Sequence, residues 1–390
     1  MKECDEDAAM HFAFNAGYRN LDHGRYYTHL LTSTSTFLRT EARPDVCIRY
    51  EYPDTCFFVP NATTSLETVL RNLVFQPGDV IICFSTIYGA FANTVKHLSQ
   101  TTTVQVKTID YTLPISDARL CELIEGTIQE LKKGGLNPPI AIFDSINSLP
   151  AVRMPFERMI EICRRHGLFS CVDGAHGIGQ IPLDLGELHT DFFATNCHKW
   201  LYVPRGCAVL YVPKRNQWIL RSTLPTSFGV HDGFVANFAS LGTLDDYPCL
   251  CVPAALAWRT MLTWRSRKGE EAIMSWMQNL ARKGGATVAA ILQTKVLENE
   301  GGTQGDCSMT DVRLPPHPAE TVGDGLDGRM TATVAGIVSV TVHSDAWWVR
   351  LSAQVYLTLD DFEHAGRSLL EVCGSVTQGE GRMGTCSGAT

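Results

Sequence analysis

The chain has 390 residues, 45% of them hydrophobic and 19% charged, a balance that suits a soluble globular protein large enough for two domains. Its 33 basic and 41 acidic residues leave a net charge of -8 with no basic run, which argues against nucleic acid as a partner. No apolar stretch has the length to span a bilayer, and the opening "MKECDEDAAM" is acidic where a signal peptide would be basic and then apolar. No membrane partner is therefore expected, and the cytoplasm is the expected location. The 14 cysteines, several inside apolar runs such as "VIICF" and "GCAVLYV", read as reduced structural thiols. "PCLCV" holds Cys249 and Cys251, but no second pair with zinc-ligand spacing follows, so no metal site is expected.

In chain order, "DVIICF" (79–84) and "TVQVKTIDY" (103–111) read as buried strands. "SDARLCELIEGTIQELKKGG" (116–135) reads as a helix with a capping Ser or Asp at its start and glycines at its end. The strand "IAIFDS", the helix "PFERMIEICRRHG" with proline in its first turn, and the strands "FSCVD", "DFFATN" and "CAVLYVP" follow. Such alternation predicts a mostly parallel sheet covered by helices, with ligands at the carboxyl ends of its strands. After residue 253 the pattern changes. "AALAWRTMLTWRSR" and "EEAIMSWMQNLARKGGATVAAIL" read as helices, 301–329 as loop, "GIVSVTV" and "WWVRLSAQVYL" as strands, and "LDDFEHAGRSLLEVC" as a last helix. That is a smaller α+β unit, followed by a polar tail (374–390) expected to be disordered.

Four strand ends carry polar residues that make joint sense. "NATTSLETVLRN" opens a helix with small hydroxyl residues, either a plain helix cap or a phosphate cradle. "STIYGA" places Tyr88 either as a rim tyrosine or as a surface on which a flat ring stacks. "DGAHG" places Asp173 at a buried strand end, either as a cap or as a partner for a protonated ring nitrogen. The glycine spacing of "GAHGIG" also matches a dinucleotide pattern, but no ribose-binding acid follows at the next strand. In "TNCHKW", 26 residues after Asp173, comes Lys199. A phosphate cradle, a stacking ring, a buried acid and a strand-end lysine are together what pyridoxal phosphate (PLP) requires. The lysine forms a Schiff base, and the acid keeps the pyridine nitrogen protonated so that the ring acts as an electron sink.

The segment "CVDGAHGIGQIPLDLGELHTDFFATNCHKWLYVPRGCAVLYV" resembles the cofactor segment of class V aminotransferase-like, fold-type I PLP enzymes, a group that includes cysteine desulfurases, isopenicillin N epimerases and C–S lyases. The resemblance implies the PLP-dependent transferase fold, an α/β architecture. A large domain (45–252) would hold a mostly parallel, seven-stranded-type sheet between helices, and 1–44 with 253–373 would form the smaller α+β domain. It also implies roles: Lys199 as the attachment lysine, His198 as a phosphate contact, Asp173 on the ring nitrogen and His176 near the ring hydroxyl. Ala62 and Thr63 fall on phosphate contacts, Tyr88 on the stacking residue, and Asn147 on a ring-hydroxyl or substrate contact. "SLGTLDD" places Thr243 on the partner subunit's phosphate, which implies a homodimer. "WVRLSAQVY" places Arg350 on the substrate carboxylate, a group that arginine grips with two parallel hydrogen bonds.

Within that group, "YRNLDHG", "NATTSLETVLRN", "PAVRMPFE", "RNQWILRSTLPTSFG" and "FVANFASLGTLDDYP" resemble fungal hercynylcysteine sulfoxide lyases of ergothioneine biosynthesis, while "RMPFE" and "PTSFG" are shared with cyclising PLP enzymes of the loline pathway. Three departures stand out. An amphipathic helix usual between "RYEYPD" and "TCFFVP" is missing, the region between "DVRLPP" and "GIVSVTV" is shortened and Gly/Asp-rich, and "NLDHGRYY" replaces the usual N-H-G-S-F-G. The implied reaction is Cα deprotonation of an amino-acid substrate followed by β-elimination from a cysteine-conjugate sulfoxide, yielding pyruvate and ammonia. An epimerase or cyclase shares the first half of that chemistry, and an inactive paralogue is a further alternative. A desulfurase needs a loop cysteine, and Cys307, Cys373 and Cys386 sit in no matching loop motif.

Overall fold

The computed structural model describes residues 2–3, 55–224, 234–239, 245–315 and 339–377. Thr243, "YRNLDHG", "PTSFG" and the site of the missing helix lie outside the described residues. After a two-residue strand β1 (Lys2–Glu3), the chain builds β2 (Cys56–Val59), α1 (Ala62–Asn72), β3 (Asp79–Phe84), α2 (Gly89–Thr101) and β4 (Gln105–Ile109). It continues through α3 (Asp117–Lys133), β5 (Asn137–Asp144), α4 (Phe156–His166), β6 (Phe169–Asp173), α5 (Leu185–Leu188), β7 (Phe192–Thr195), α6 (Cys197–Trp200) and β8 (Ala208–Tyr211). Strands β2 to β8 form one seven-stranded sheet in the order β2-β8-β7-β6-β5-β3-β4. Its β4, β3, β5, β6 and β7 are parallel, and β8 is antiparallel to both neighbours. The sequence predicts this mostly parallel α/β architecture.

Both faces of the sheet are covered. Along β3, Val80, Ile82 and Phe84 pack with Leu120, Ile124 and Met159 of α3 and α4, while Ile81 and Cys83 pack with Leu66, Val69 and Phe91 of α1 and α2. That two-sided burial is why the strands read as unbroken apolar runs rather than alternating ones. The helix ends follow local chemistry. Ser116 Oγ accepts the Arg119 N–H at 3.2 Å and starts α3. Gly167, at φ 72, ends α4, with Leu168 N donating to Cys163 O at 2.9 Å.

The later part of the chain adds α7 (Phe234–Ala239), α8 (Tyr247–Leu250), α9 (Val252–Arg259), β9 (Leu262–Trp264), β10 (Arg267–Lys268), α10 (Gly269–Leu292), β11 (Met309–Arg313), β12 (Ser339–His343), β13 (Ala346–Ser352) and α11 (Leu359–Thr377). Strands β11 to β13 form an antiparallel sheet in the order β11-β13-β12. β12 and β13 are joined by Ser344 and Asp345, both at positive φ, the backbone of a tight hairpin turn. Gly284 of α10 meets Phe362 of α11 so closely that a Cβ there would overlap the ring.

Three expectations are corrected. β4, expected to be a buried strand, is the edge strand of the sheet, and of its residues only Ile109 is buried. The helix expected over 254–267 stops at Arg259, and β9 and β10 form a hairpin turning through Arg265 at φ 54. Leu262 is buried, Trp264 packs edge-on against Trp276, and Arg265 lies 4.4 Å over the Trp264 ring, so packing overrides helix propensity. The loop expected over 301–329 contains β11, whose residues Met309 to Val312 are buried against β13.

The two sheets meet at Asp311. It lies opposite Arg350 across β11 and β13, and its Oδ2 accepts the Ala151 N–H at 2.6 Å from the loop after β5. Its Oδ1 has no hydrogen-bond partner among the described residues. Burial pushes the Asp311 carboxyl up to about 7, above the ordinary 3.8. The folded chain therefore holds a proton there that the unfolded chain has lost. The protonated acid contributes its stability in full below about pH 4, and that stability is lost as pH rises towards 7. Asp311→Asn, which keeps an acceptor for Ala151, should remove this dependence. Its stability relative to wild type should improve between pH 4 and 8 by on the order of 3–4 kcal/mol in denaturant melts. Parallel curves for the two proteins would contradict a neutral Asp311.

Candidate active site

Strands β5, β6 and β7 run side by side with Asp144 paired to Asp173 and Asp173 to Ala194, so their carboxyl ends deliver their polar residues to one edge. The chain leaves β6 through Gly174, whose N–H donates to Ala194 O at 2.7 Å. A Cβ on Gly174 would overlap the Phe193 ring, so close packing requires this glycine. Glycines of "GAHGIG" thus serve strand and turn packing, and turns rather than a nucleotide-binding helix follow β6. After β7, Asn196 leads into α6, the single turn that carries His198 and Lys199.

Across from them is the start of α1. Asn61 Oδ1 caps the helix by accepting the Thr64 N–H at 2.8 Å, and Asn196 Oδ1 accepts the Ala62 N–H at 2.9 Å. Among the described residues nothing accepts from the Thr63 N–H, which leaves a helix N-terminal donor beside the cavity. The cavity measures about 780 Å³. Of the residues singled out from the sequence, Ala62, Thr63, Tyr88, Asp173, His176, His198, Lys199 and Arg350 line it. Asn147 does not. Its Nδ2 donates to Thr86 Oγ1 and Tyr111 Oη, both at 3.0 Å, behind a wall formed by its neighbours Ser148 and Leu149. Arg350 reaches the cavity from β13, with Nη1 donating to Ser148 O at 2.9 Å. Burial lowers its guanidinium to about 10.

Lys199 Nζ lies 2.9 Å from His176 Nε2. Trp200 Nε1, a donor only, gives its hydrogen to His176 Nδ1 at 3.3 Å. Nδ1 is therefore the accepting nitrogen, and a neutral His176 carries its proton on Nε2, facing Lys199. Burial and the Lys199 charge hold His176 well below the usual histidine range, so the ring is neutral. A donor facing Nζ favours the lysine's unprotonated form, with its lone pair turned to the histidine. Burial pushes the Lys199 amine down to about 8, against the pull of Asp173 and Asp144.

The acids form a pair. Burial, and then the adjacent Asp173 charge, hold Asp144 well above the ordinary carboxylate range, so it keeps its proton and donates it to Asp173. Asp173 is raised by burial, opposed by Lys199, by the Ala175 N–H at 2.9 Å and by Asp144. His198 is lowered to about 4 by burial first and the Lys199 charge second. Its Nδ1 accepts the Cys207 N–H at 3.3 Å, which leaves Nε2 as the protonated nitrogen of a neutral ring.

The sequence reading missed three residues of this arrangement. Asp144 ends β5 with the same signal as Asp173, an acid after a buried apolar run, and lines the cavity. Asn196 ties α6 to α1. Arg259, fully buried, donates to Trp200 O at 2.7 Å and Gly179 O at 3.1 Å while paired with Glu270, and so fixes the turn behind Lys199. Nothing in "AALAWRT" marks that arginine.

The residues present fit PLP. The open Thr63 donor and the neutral Nε2–H of His198 suit a phosphate, the Asp144–Asp173 pair suits a protonated ring nitrogen, and Tyr88 offers a ring beside the start of α2. Lys199 supplies an amine with a lowered pKa.

Comparison with known proteins agrees. The aminotransferase class-V family model matches residues 14–364. The L-cysteine desulfhydrase-like protein lolT2 of Epichloe uncinata is 37% identical over 372 residues, covering 83% of this chain and 79% of that protein. The hercynylcysteine sulfoxide lyase of Schizosaccharomyces pombe is 24% identical over 341 residues, covering 81% and 79%. Among solved structures, a cysteine desulfurase from Thermococcus onnurineus superposes with a TM-score of 0.65 at 17% identity, covering 83% of this chain and 80% of that one. With the family model spanning most of its length, the chain belongs to the class-V aminotransferases and is a PLP enzyme.

Proposed function

We propose that the protein is a PLP-dependent C–S lyase that cleaves a cysteine-conjugate sulfoxide of the hercynylcysteine sulfoxide kind. C–S lyase or desulfhydrase-like chemistry is supported at the level of the family; the sulfoxide substrate is the further step proposed here. The observation that carries the reading is a lysine amine with a lowered pKa, facing a neutral histidine and an acid pair in one cavity with an arginine at its edge.

Bound PLP supplies an electron sink for the electron pair left when Cα loses its proton. Thr63 and His198 would hold the phosphate, Asp173 the ring nitrogen, and Lys199 the carbonyl carbon. Asp144 donates to Asp173 and keeps that carboxylate aimed and charged. Arg350 grips the substrate carboxylate, which orients the Cα–H bond. The Lys199 amine, whose pKa lowered to about 8 gives it a larger unprotonated fraction at neutral pH than an ordinary lysine has, and which is held by His176, then takes the Cα proton as general base. A sulfoxide sulfur on Cβ is a good leaving group and departs as a sulfenic acid, and hydrolysis of the remaining fragment gives pyruvate and ammonia.

A second reading is favoured by the 37% identity to a desulfhydrase-like protein, namely cleavage of L-cysteine itself with release of sulfide. Sulfur relay of the desulfurase kind is disfavoured. Cys307 and Cys373 are buried, with thiols pushed up to about 12 and about 11, and Cys386 lies outside the described residues. We further propose a homodimer in which Thr243 completes the partner's phosphate site. No helix of the described residues is long and apolar enough to cross a membrane, and the cytosol is the location proposed.

Pyruvate release from a cysteine-conjugate sulfoxide should be rapid in the wild type and fall about tenfold or more in Arg350→Lys, because an ammonium cannot reproduce the planar two-bond grip. Sulfide released from L-cysteine without turnover of the sulfoxide would select the second reading. Racemised or cyclised substrate with no pyruvate would reject both.

Asp144→Asn keeps a donor for Asp173 and should hold turnover within about threefold. Asp144→Leu should lose roughly tenfold or more and weaken PLP retention on dialysis. Equal losses in the two variants would mean that the donated hydrogen bond is not what Asp144 contributes.

A further inference from the structure

The turn that follows His176 ends on a glutamine whose side chain is directed inward. Gly179, at φ +76, runs so close to α6 that a Cβ there would come within 2.7 Å of Trp200 O, and the next residue, Gln180, is fully buried. Gln180 Nε2 donates to His176 O at 2.8 Å, and Gln180 Oε1 accepts the Ser308 N–H at 2.5 Å. Ser308 immediately precedes β11, and its own carbonyl accepts the N–H of Ala353, the residue after β13, at 2.8 Å. One side chain thus joins the turn that delivers His176 to the place where β11 begins beside the end of β13.

The two partners select an amide. His176 O can only accept and the Ser308 N–H can only donate, so the group between them needs a donor at one end and an acceptor at the other. A carboxylate has no donor, a methionine thioether is a weak acceptor and nothing more, and a buried carbonyl or N–H left unpaired is costly. Length is selected as well, since asparagine is one carbon too short to reach both partners. The carbonyl that Gln180 holds belongs to the residue whose Nε2 faces Lys199 Nζ at 2.9 Å, so releasing it frees the ring to swing away from the amine. A second tie crosses the same gap without touching His176. Tyr202 Oη, three residues after Lys199, donates to Gln354 Oε1 at 2.9 Å, two residues beyond β13.

We propose that Gln180 is a positioning residue of the active site, which anchors His176 to the smaller sheet through Ser308 and so keeps the imidazole N–H on Lys199 Nζ. It touches neither the amine nor the cavity and acts through His176. Without the anchor, the Nε2–H no longer favours the unprotonated amine, and the lysine holds its proton more firmly. The loss then falls on the step in which the amine takes a proton, not on the grip that Arg350 has on the substrate carboxylate.

The titration half of the test needs no substrate; the kinetic half rests on the reading of Lys199 as general base. PLP-free wild type, Gln180→Met and Tyr202→Phe are labelled with a trace of acetic anhydride across a pH series, and Lys199 reactivity is read by peptide mass spectrometry beside urea melts. Half-maximal reactivity in Gln180→Met should lie at least about half a pH unit above the wild type, while Tyr202→Phe should coincide with the wild type even where it is less stable. Gln180→Asn, which keeps one partner, should shift the same way and serves where Gln180→Met does not fold. With PLP bound, and with whichever of the sulfoxide conjugate and L-cysteine the wild type turns over, kcat of the Gln180 variant should fall about tenfold and KM change by less than about threefold. A wild-type titration in a folded Gln180 variant would overturn the proposal. An equal shift in Tyr202→Phe would overturn it too, because general loosening would then account for the effect, as would a raised KM with unchanged kcat. If the wild type turns over neither substrate, the functional reading fails and the titration alone decides the role of Gln180.

Discussion

The site depends on placing a lysine amine where water cannot stabilise its charge. Burial alone makes a charged ammonium costly, and two acids at the same place would pull the proton back. The arrangement around Lys199 resolves this competition in favour of a usable amine. Asp144 is neutralised by its own burial beside Asp173, so the amine faces one full negative charge rather than two. His176, with Nδ1 committed to the Trp200 indole, turns an N–H and not a lone pair towards Nζ. Within the motif His198-Lys199-Trp200, the tryptophan fixes the tautomer of the histidine that the lysine meets.

The scaffold makes this possible through register. Three parallel strands end level with one another, so residues far apart in sequence, Asp144, Asp173 and Lys199, reach one edge without long loops. Behind them Arg259 ties the Trp200 and Gly179 carbonyls to Glu270, and in front Asn196 holds the first turn of α1. The smaller sheet contributes by reach. Asp311 holds the loop after β5 while Arg350 grips the same loop at Ser148, so both strands β11 and β13 bear on the cavity rim.

Much of this was legible in the residues. Buried strands of a two-sided sheet appear as plain apolar runs, which is why "DVIICF" and "FSCVD" coincide with β3 and β6. Helix boundaries at Ser116 and Gly167 follow from capping and left-handed turn chemistry, both local. Local signals fail where a tertiary contact decides. "TMLTWRSR" continues a helical pattern by propensity but folds as a hairpin because Leu262 is buried and Trp264 packs against Trp276. In the site, Asp173 and Lys199 stood out only jointly, because a phosphate cradle, a stacking ring, a buried acid and a lysine at successive strand ends make sense together where each alone reads as a cap or a solvated end. Asp144 carried an equal signal and was passed over as part of a strand. Asn147 sits behind the cavity wall because the loop presents its neighbours instead, a matter of backbone direction that the residue type does not encode.

The most direct measurement is the titration of the Lys199 amine itself in PLP-free protein. Competitive labelling with a trace of acetic anhydride from pH 6 to 11, read by peptide mass spectrometry against a free peptide lysine in the same tube, gives its pKa without any substrate. The account predicts half-maximal reactivity near about 8 for Lys199. Reactivity that rises only around the ordinary lysine value of 10.5 would contradict it, because the amine would then hold its proton as firmly as a solvated lysine, and the burial and tautomer arguments would both fail.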